Sequence, residues 1–573
     1  MELIKYKGKE FTLGVHFESH DTGASLVNEK GEIIAAVNEE RLTRRKEEDA
    51  TPINSIKAIF EMTGLNAEDI SSLALSGSAP GVRKDIQDWK TYGAELIQSP
   101  FTLSSYFLSH VPQKYKESEL GRNLRNKKKD ILNYLQGFKG KINHIDHHLC
   151  HASSAYFTSG KDDVLCLTFD GMGDFKTSTV YTCHDGKLNL VDSTPWPHSA
   201  GSFYKLITEI LGFRPRRHAG KITGLAAYGN PSVADSVVSK LITSKGLQLR
   251  VSNKLFEYKW HYRKYGKIHP ELAKFSREDL SAAFQNNLEK VATEIVSRAV
   301  KMTGIRDVVL AGGVTANVKL NQRIRELPEV NSVFIHPSMG DGGLATGAAL
   351  YSWSRNSFTK KIPSLDNVYL GPSYSDDEIE NAMKEFGVKW EKLKNTDNFT
   401  AEMIENKKIV GRFSGRMEYG PRALGNRSIL ADPTDKTIND WLNERLKRTE
   451  FMPFAPSTIK EDGKRYYKGF STDHKAAEFM TITYDVTDEA AKTAPAVTHV
   501  DKTARPQAVS EDTNSSYYKI LQHYKKLTGI SCFINTSFNM HEEPIICSPS
   551  DAIRAFKQGS VDILTLGNYV IIK

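Results

Sequence analysis

The chain contains two copies of one strand–turn–strand pattern, and this repetition narrows the possible folds more than any other part of the sequence. The first copy covers residues 11–35 (FTLGVHFESHDTGASLVNEKGEIIA), and the second covers residues 164–188 (VLCLTFDGMGDFKTSTVYTCHDGKL). In each copy an apolar strand ends in a turn rich in Asp, His or Gly, and a second strand of small and apolar residues follows. A tight polar turn then closes each copy, so that a third strand can begin.

A duplicated unit of this kind predicts an α/β fold, namely the duplicated actin-like (ribonuclease-H-like) core of the actin and sugar-kinase superfamily. In that architecture the turn after the first strand of each half faces the phosphates of a nucleotide. The alternative is a chance repetition, because strand–turn–strand units are common in α/β proteins. Apolar residues at helical spacing predict amphipathic helices over residues 51–66 and 281–304. A polar, turn-rich stretch at residues 355–377 predicts a boundary between a domain 1–356 and a domain 368–573.

Composition and charge exclude several classes of protein. Hydrophobic residues make up 39% of the 573 residues, which excludes wholesale disorder. The net charge is only +8 and the longest basic run is short, so we expect no nucleic-acid partner. Five cysteines without a CxxC pair argue against a disulfide framework and favour a reducing compartment. Without an apolar leader segment or a run of about 18 apolar residues, the sequence predicts a soluble, cytoplasmic protein with no membrane partner.

The strongest chemical signal is the segment IDHHLCHASSAYF. Asp146 is predicted to cap a helix, and His147 and His151 then lie four residues apart on one helix face. Two imidazoles at this spacing can hold a divalent metal ion, although such pairs also occur as packing or surface residues. Asp170 in FDGMGD and Asp341 in MGDGGLATG add carboxylates, and the alternative for each is a turn-forming Asp. Two His and two Asp together suit Fe, Mn or Zn.

Two Gly-rich segments predict contacts to nucleotide phosphates. LAGGVTANVKLN contains Gly312, Gly313 and Asn317, and GDGGLATG contains Gly342. Each resembles a turn that leads into a helix, where main-chain N–H groups can receive phosphate oxygens, and neither is a P-loop. Lys221 in HAGKITGLAAYG is a further nucleotide-binding candidate, and its alternative is an exposed lysine in a loop.

A basic cluster in the second domain predicts an anion site. Its arginines lie among Gly, Pro and Asn rather than along one helix face, which implies a specific main-chain geometry. Arginines on such turns can converge on one anion through their planar donor groups, and the alternative is a solvated basic surface. The arginines and the polar residues predicted to complete their pocket are Arg416, Arg422, Arg427, Arg505, Ser537 and Asn539.

Taken in chain order, these segments resemble the NodU/CmcH family of O-carbamoyltransferases. The matching motifs span nearly the whole chain: HHLCHASSAY, FDGMGD, GKITGLAAYG, AGGVTANVKLN, MGDGGLATG, GRMEYGPRALGNRSILADP, MPFAPS, RPQAV and NTSFNMHEEPI. The resemblance implies an N-terminal actin-like metal domain and an α+β YrdC-like C-terminal domain, relatives of the two components of tRNA threonylcarbamoylation. It also implies that the second domain makes carbamoyl-adenylate from carbamoyl phosphate and ATP. The first domain then passes the carbamoyl group to a hydroxyl of a small-molecule natural product or sugar.

The resemblance also implies roles for individual residues. The two His and two Asp become ligands of Fe(II) or another first-row divalent ion, and ATP enters with Mg²⁺ as a co-substrate. Contacts to carbamoyl phosphate and nucleotide carry over to the six residues of the anion pocket, and also to Lys447 and Arg448. His20 and Asp21, on the first phosphate-side turn, are candidates to orient or deprotonate the acceptor hydroxyl, with a turn cap as the alternative.

Three other functions stay open at this stage. An actin-like small-molecule kinase would explain the duplicated core but leaves the basic cluster without a task. A tRNA threonylcarbamoyl transferase would need a concentrated basic face, which a net charge of +8 supports poorly. A non-catalytic nucleotide sensor would need no second, anion-rich site. The acceptor and the oligomeric state are also left open.

Overall fold

The first sheet of the protein has five strands. A computed structural model describes residues 10–77, 119–357, 361–446 and 451–573. The strands are β1 (Phe11–His16), β2 (Gly23–Val27), β3 (Ile33–Asn38), β4 (Ile70–Ser76) and β5 (Lys141–Ile145). Their order is β3-β2-β1-β4-β5, with antiparallel pairing from β1 to β2 and from β2 to β3, and parallel pairing from β1 to β4 and from β4 to β5.

The second sheet repeats this topology. Its strands are β6 (Val164–Gly173), β7 (Lys176–His184), β8 (Lys187–Pro195), β11 (Asp307–Ala311) and β12 (Ser332–Ile335), and a separate hairpin holds β9 (Ile242–Lys245) and β10 (Gln248–Val251). The order is β12-β11-β6-β7-β8, and the directions match those of the first sheet strand for strand. The repeat in the sequence is therefore a duplicated α/β unit, as predicted.

Helices cover the faces of both sheets, which is why β1 is buried at every residue. At Gly14 an added Cβ would lie 2.0 Å from the carbonyl oxygen of Ala345, so the strand and helix main chains meet directly there. The predicted helices at 51–66 and 281–304 are confirmed as Ile53–Thr63 and Arg277–Thr303. Within the described residues of this half, the other helices are Glu40–Thr43, Glu119–Tyr134, His147–Tyr156, Ala200–Ile210, Ala219–Ala226, Pro231–Val238, Asn253–Tyr265, Val318–Arg325 and Leu344–Ser357.

The C-terminal half contains an eight-stranded mixed sheet. Its strands are β13 (Glu391–Lys392), β14 (Val410–Phe413), β15 (Arg427–Ala431), β16 (Ala455–Ile459), β19 (Gln507–Val509), β20 (Cys532–Ser537), β21 (Ile563–Leu566) and β22 (Tyr569–Ile572), and a small pair holds β17 (Tyr484–Asp485) and β18 (Thr503–Ala504). The order is β13-β22-β21-β14-β15-β20-β16-β19. The helices are Asp376–Glu385, Thr396–Glu405, Ile438–Arg445, Gly463–Tyr466, Lys475–Glu478, Asp488–Thr493, Ser515–Thr528 and Pro549–Lys557. The YrdC-like identity of this half and the domain limits stay predictions.

The stretch predicted as a domain boundary is an ordered strap where the structure describes it. Ile362, Leu365, Val368 and Leu370 are buried in an apolar cluster. The carbonyl oxygen of Leu370 accepts a hydrogen bond from the N–H of Ala36 in β3, at 3.2 Å. The strap therefore packs against both halves rather than lying free in solvent. Among the described helices, none has the length and apolar character needed to cross a lipid bilayer.

Candidate active site

The four predicted metal ligands converge in the N-terminal half. One donor atom from each of His147, His151, Asp170 and Asp341 lies within 4.8 Å of the others. Nε2 of His147 is 3.5 Å from Oδ2 of Asp170 and 3.7 Å from Oδ1 of Asp341. Nε2 of His151 is 3.6 Å from the same Oδ1 of Asp341. All four side chains are buried, so two carboxylates and two imidazoles share one small, largely dry volume.

Local structure explains how the sequence builds this cluster. The carboxylate of Asp146 caps the helix His147–Tyr156 by accepting a hydrogen bond from the N–H of Leu149 at 3.0 Å, as predicted. This cap starts the helix so that its first turn presents His147 toward β6. On β6, a Cβ added to Gly173 would lie 2.0 Å from Cδ2 of His147, so only glycine leaves room for the imidazole ring. β6 and the helix His147–Tyr156 therefore pack closely together at the predicted metal-ligand positions.

The donor set fits a divalent cation. Nε2 of His147 and both ring nitrogens of His151 are buried without a hydrogen-bond partner among the described residues. Burial opposes the charged form of His147, but the nearby carboxylates of Asp170 and Asp341 outweigh burial and raise its pKa to about 10. The same negative field that favours an imidazolium ion also favours a metal cation. Borderline nitrogen and carboxylate ligands suit first-row metals.

His20 and Asp21 lie beside this cluster. Nδ1 of His20 is 2.8 Å from Oδ2 of Asp21, and its Nε2 is 3.8 Å from Oδ2 of Asp341. Burial works against the charged form, but the hydrogen bond to Asp21 and the charge of Asp341 raise the pKa of His20 to about 9. Ser19, which the sequence analysis did not select, donates its hydroxyl hydrogen to Asp341 at 3.0 Å. The first turn of the repeat therefore supports the metal cluster from one side.

The residues predicted to contact nucleotide phosphates do not all line the same part of the structure. Gly313, Asn317, Gly342 and Lys221 line one large cavity, whereas Gly312 is not among the lining residues. The N–H of Gly313 already donates to Oδ1 of Asp170 at 2.9 Å, so it orients a metal ligand rather than offering its hydrogen to a phosphate.

The amide side chain of Asn317 is also engaged in the structure. Its oxygen caps the helix Val318–Arg325 at the N–H of Leu320, and its Nδ2 donates to Gln285 at 2.8 Å. Asn317 therefore shapes the wall of the cavity at a helix start, and its side chain is held in place by the protein itself.

The cavity joins the two halves of the molecule. Its volume is about 580 Å³. The N-terminal half contributes Asp21, Gly313 and Gly342, which adjoin the metal cluster. The C-terminal half contributes the predicted anion-site residues Arg422, Arg505, Ser537 and Asn539. Tyr419 of the C-terminal half donates its hydroxyl hydrogen to the carbonyl of Gly342 at 2.6 Å, which ties the two walls together. A ligand in this cavity can contact the predicted anion site and the neighbours of the metal cluster, whose four ligands are not themselves among the lining residues.

Arg416 is not among the residues that line the cavity, in contrast to its predicted role. Its guanidinium group donates to the carbonyl oxygens of Gly371 at 3.1 Å, Leu370 at 2.6 Å and Ile34 at 3.1 Å. Arg416 therefore fastens the strap to β3. Its position in the Gly-rich motif reflects this tertiary contact, and we leave it out of the proposed anion site.

Arg427 is likewise outside the cavity lining and is fully buried. Its guanidinium group donates to five main-chain carbonyl groups, including those of Ser414 at 2.7 Å and Asn426 at 3.0 Å, and it stacks over the ring of Phe413. Burial lowers its pKa to about 10. Arg427 stabilises the turn through these buried main-chain hydrogen bonds. Its predicted contact with the anion is therefore replaced by a structural role. Lys447 and Arg448 lie outside the described residues.

Three arginines in the cavity wall, Arg41, Arg216 and Arg217, were not predicted from the sequence. Arg41, on the short helix Glu40–Thr43, is buried, and its Nη1 has no hydrogen-bond partner among the described residues. Its Nη2 donates to the carbonyl of Gly420 in the C-terminal half. Arg216 also lines the cavity, and its charge partly offsets the rise in the pKa of nearby His20. The only signal in the sequence is the concentration of basic residues in EERLTRRK and RPRRH.

Comparisons with known proteins agree with this arrangement. A family model described as "Carbamoyltransferase N-terminus" matches residues 12–350, and one described as "Carbamoyltransferase C-terminus" matches residues 401–573. An uncharacterized protein of Methanocaldococcus jannaschii is 32% identical over 98% of this chain and 99% of its own length. The nodulation protein NolNO of Sinorhizobium fredii is 31% identical over 97% of this chain and 79% of its own length.

Solved structures resemble the chain only distantly, but the sequence matches cover most of it. Component A of (R)-2-hydroxyglutaryl-CoA dehydratase from Acidaminococcus fermentans is 16% identical and covers 60% of this chain and 98% of its own, with a TM-score of 0.33. HypF in a phosphate- and nucleotide-bound form is 13% identical and covers 62% of this chain and 56% of its own, with the same TM-score of 0.33. Structural similarity at this level does not support an assignment. The family matches, in contrast, extend through both halves of the chain. The chain therefore belongs to the carbamoyltransferase family and is a carbamoyltransferase enzyme.

Proposed function

We propose that the protein is an ATP-dependent O-carbamoyltransferase that uses carbamoyl phosphate and passes the carbamoyl group, through carbamoyl-adenylate, to a hydroxyl of a small-molecule natural product or sugar. The observation that carries this proposal is the single cavity lined by both halves. Its wall includes Arg422 and Arg505, which suit anionic phosphates, and also Gly313 and Gly342, which adjoin the cluster of His147, His151, Asp170 and Asp341. A reaction in two steps needs two such places within reach of one intermediate.

The proposed reaction balances as follows. Water cleaves carbamoyl phosphate into carbamate and phosphate, and a carbamate oxygen then attacks the α-phosphorus of ATP. Pyrophosphate leaves, and carbamoyl-adenylate remains. The acceptor hydroxyl attacks the carbamoyl carbon and loses its proton, and AMP departs with the electron pair of the broken C–O bond. The products are the carbamoylated acceptor, AMP, pyrophosphate and phosphate.

The adenylation end of the cavity is assigned to the C-terminal half. Arg422, Arg505, Ser537 and Asn539 supply positive charge and hydrogen-bond donors at its wall. Fixed cationic donors stabilise the negative charge that develops when carbamate attacks ATP, because they need no reorganisation at that moment. Arg41 reaches the same cavity from the N-terminal half with a buried Nη1. A buried cationic donor of this kind favours an anionic ligand nearby.

The transfer end is assigned to the N-terminal half. His147, His151, Asp170 and Asp341 would hold a first-row divalent metal ion, which as a Lewis acid polarises a carbonyl and lowers the pKa of a bound hydroxyl. His20 and Asp21, hydrogen-bonded to each other at 2.8 Å, orient the acceptor hydroxyl, and the carboxylate of Asp21 accepts its proton. Enclosure between two halves limits the contact of the mixed anhydride with bulk water.

Product analysis tests this proposal. Incubation with ATP and carbamoyl phosphate is expected to yield AMP and pyrophosphate, and mass spectrometry of added hydroxyl compounds is expected to show one carbamoyl group gained. Omission of carbamoyl phosphate should abolish both products, since carbamate is the attacking group. An actin-like kinase would instead cleave the terminal phosphate. Acceptor-dependent ADP formation that ignores carbamoyl phosphate would overturn the assignment, and carbamoylated tRNA would favour the threonylcarbamoyl alternative.

Variants of two arginines in the C-terminal half can distinguish residues of the proposed anion site from residues that only support the fold. Arg505→Gln is expected to lower the specificity constant for carbamoyl phosphate about 10- to 150-fold, because a charge-assisted contact is worth roughly 1.5–3 kcal/mol. Arg416→Gln should leave that constant near the wild-type value and lower the melting temperature, because its partners are main-chain carbonyls outside the cavity. Steady-state kinetics and thermal unfolding of both variants provide the comparison. Equal kinetic losses in the two variants would contradict it.

A further inference from the structure

Three segments from distant parts of the chain meet at the wall of the cavity around one carboxylate. Oε2 of Glu542 accepts hydrogen bonds from Arg214 at 2.6 Å and from Arg217 at 2.7 Å, and its Oε1 is 3.2 Å from Nε2 of His218. Glu542 belongs to the C-terminal half, and its three partners belong to the N-terminal half. Burial opposes the ionised form, but the bonds from Arg217 and His218 outweigh burial and lower the pKa of Glu542 to about 2.

The third segment contains Arg44 and Glu47. Nη2 of Arg217 donates to the carbonyl of Lys46 at 2.9 Å, and its Nε is 3.5 Å from a carboxylate oxygen of Glu47. Arg44 donates to the main-chain carbonyls that follow Glu542, at 2.7 Å and 2.8 Å. Arg217 therefore joins the 44–47 segment to Glu542, and Arg44 closes the triangle from the other side.

The backbone of this contact is held in an unfavourable conformation. Glu542 has a φ of +64°, Arg44 of +62° and Glu47 of +58°, and none of them is glycine. Side chains with a Cβ disfavour this left-handed region, so such residues persist where the surrounding contacts over-determine them, often at functional sites. Arg44 has this conformation as the C-cap of the helix Glu40–Thr43, whereas Glu542 and Glu47 have it on either side of Arg217.

The loop behind Glu542 leads directly to the proposed anion site. Nδ2 of Asn539 donates to the carbonyl of Glu543 at 2.7 Å, and the hydroxyl of Ser537 donates to Oδ1 of Asn539 at 2.6 Å. Glu542, Arg217, Ser537 and Asn539 all line the cavity. Movement of Glu542 away from its cationic partners would therefore shift the loop that carries Ser537 and Asn539, and would open the cavity wall between the two halves.

We propose that Glu542 and its partners Arg214 and Arg217, together with Arg44 on the carbonyls of Pro544 and Ile545, form an ionic clasp that keeps the cavity closed while the intermediate passes from one half to the other. This inference rests on the proposed two-step function. Glu542 acts as a positioning residue: it holds the two walls together and takes no part in bond making. An opened clasp admits water, so that carbamoyl-adenylate is hydrolysed to carbamate and AMP before the acceptor attacks.

The test measures coupling, defined as pyrophosphate released per carbamoylated acceptor. We expect a ratio near one for the wild type and a ratio about tenfold higher for Glu542→Gln. Glu542→Gly should show the same rise with no loss of thermal stability, because glycine adopts the left-handed backbone without strain. Arg217→Gln should match Glu542→Gln, and the double variant should be no worse than either, as for two members of one contact.

The control is Glu489→Gln, which breaks an exposed ion pair with Arg465 far along the chain and should keep the wild-type ratio. A wild-type ratio in Glu542→Gln and Arg217→Gln, with the wild type itself active, overturns the clasp alone. Additive effects in the double variant also overturn it. Absence of carbamoyl-phosphate-dependent pyrophosphate from the wild type overturns the proposed function and the clasp with it.

Discussion

Asp341→Asn protein is expected to bind little metal and to transfer carbamoyl groups about a thousandfold more slowly than the wild type. The substitution keeps the volume of the side chain but removes the negative charge that lies 3.7 Å from His147 and 3.6 Å from His151. Metal-ion catalysis supplies several kcal/mol of charge stabilisation, and each 1.36 kcal/mol is about tenfold in rate. Pyrophosphate release in the C-terminal half should remain within about threefold of the wild type, because no anion-site residue is altered.

Metal analysis of the purified protein, together with product assays, checks this result. His151→Ala should lose metal in the same way, and His184→Ala is a suitable control because its imidazole is exposed and distant from the cluster. Full metal occupancy in Asp341→Asn and His151→Ala would show that these residues are not ligands. Equal loss of pyrophosphate release would show that the two steps are not divided between the halves as proposed.

Arg427→Met is expected to destabilise the protein by about 3–5 kcal/mol without a specific effect on substrate affinity. The buried guanidinium group satisfies five main-chain carbonyl groups, and its removal leaves buried acceptors without donors. Methionine fills part of the volume but offers no hydrogen. Urea unfolding should show a lower midpoint with an unchanged slope.

Arg465→Met provides the matched control for that measurement. Its ion pair with Glu489 is exposed on both sides, so its loss should change stability by no more than about 1 kcal/mol. A stable Arg427→Met protein with weakened use of carbamoyl phosphate would restore the anion-site interpretation of Arg427 that the structure contradicts.

The fold was predictable where its signals are local. Apolar residues at helical spacing marked Ile53–Thr63 and Arg277–Thr303, because each helix must bury one face whatever lies on the other side. The two strand–turn–strand copies likewise indicated a duplicated sheet. The strap at residues 361–372 was predicted only as part of a polar domain boundary, because its few buried apolar residues follow no period and their partners lie far away in sequence.

The cluster of two histidines and two aspartates was predictable for a related reason. A helix places residues four apart on one face, so the spacing of His147 and His151 determines their direction before any tertiary contact forms. Asp170 and Asp341 were selected as carboxylates at Gly-rich turns. Their convergence on the histidines follows from the strand order of the second sheet, in which β6 and β11 are neighbours and the loop after β12 returns to the same edge.

The proposed anion site shows that the sequence alone does not determine the direction of side chains on irregular turns. Arg416, Arg422 and Arg427 stand in one motif with the same residue type and similar neighbours, yet only Arg422 reaches the cavity. Gly- and Pro-rich turns have no periodicity, so the direction of each side chain depends on which carbonyl groups the rest of the fold brings near it. Arg41 and Glu542 could not be selected from the sequence for the same reason, because their partners lie hundreds of residues away. Regular spacing along the chain settled the duplicated core and the histidine pair, whereas the packing of the two halves decided which charged side chains face the shared cavity.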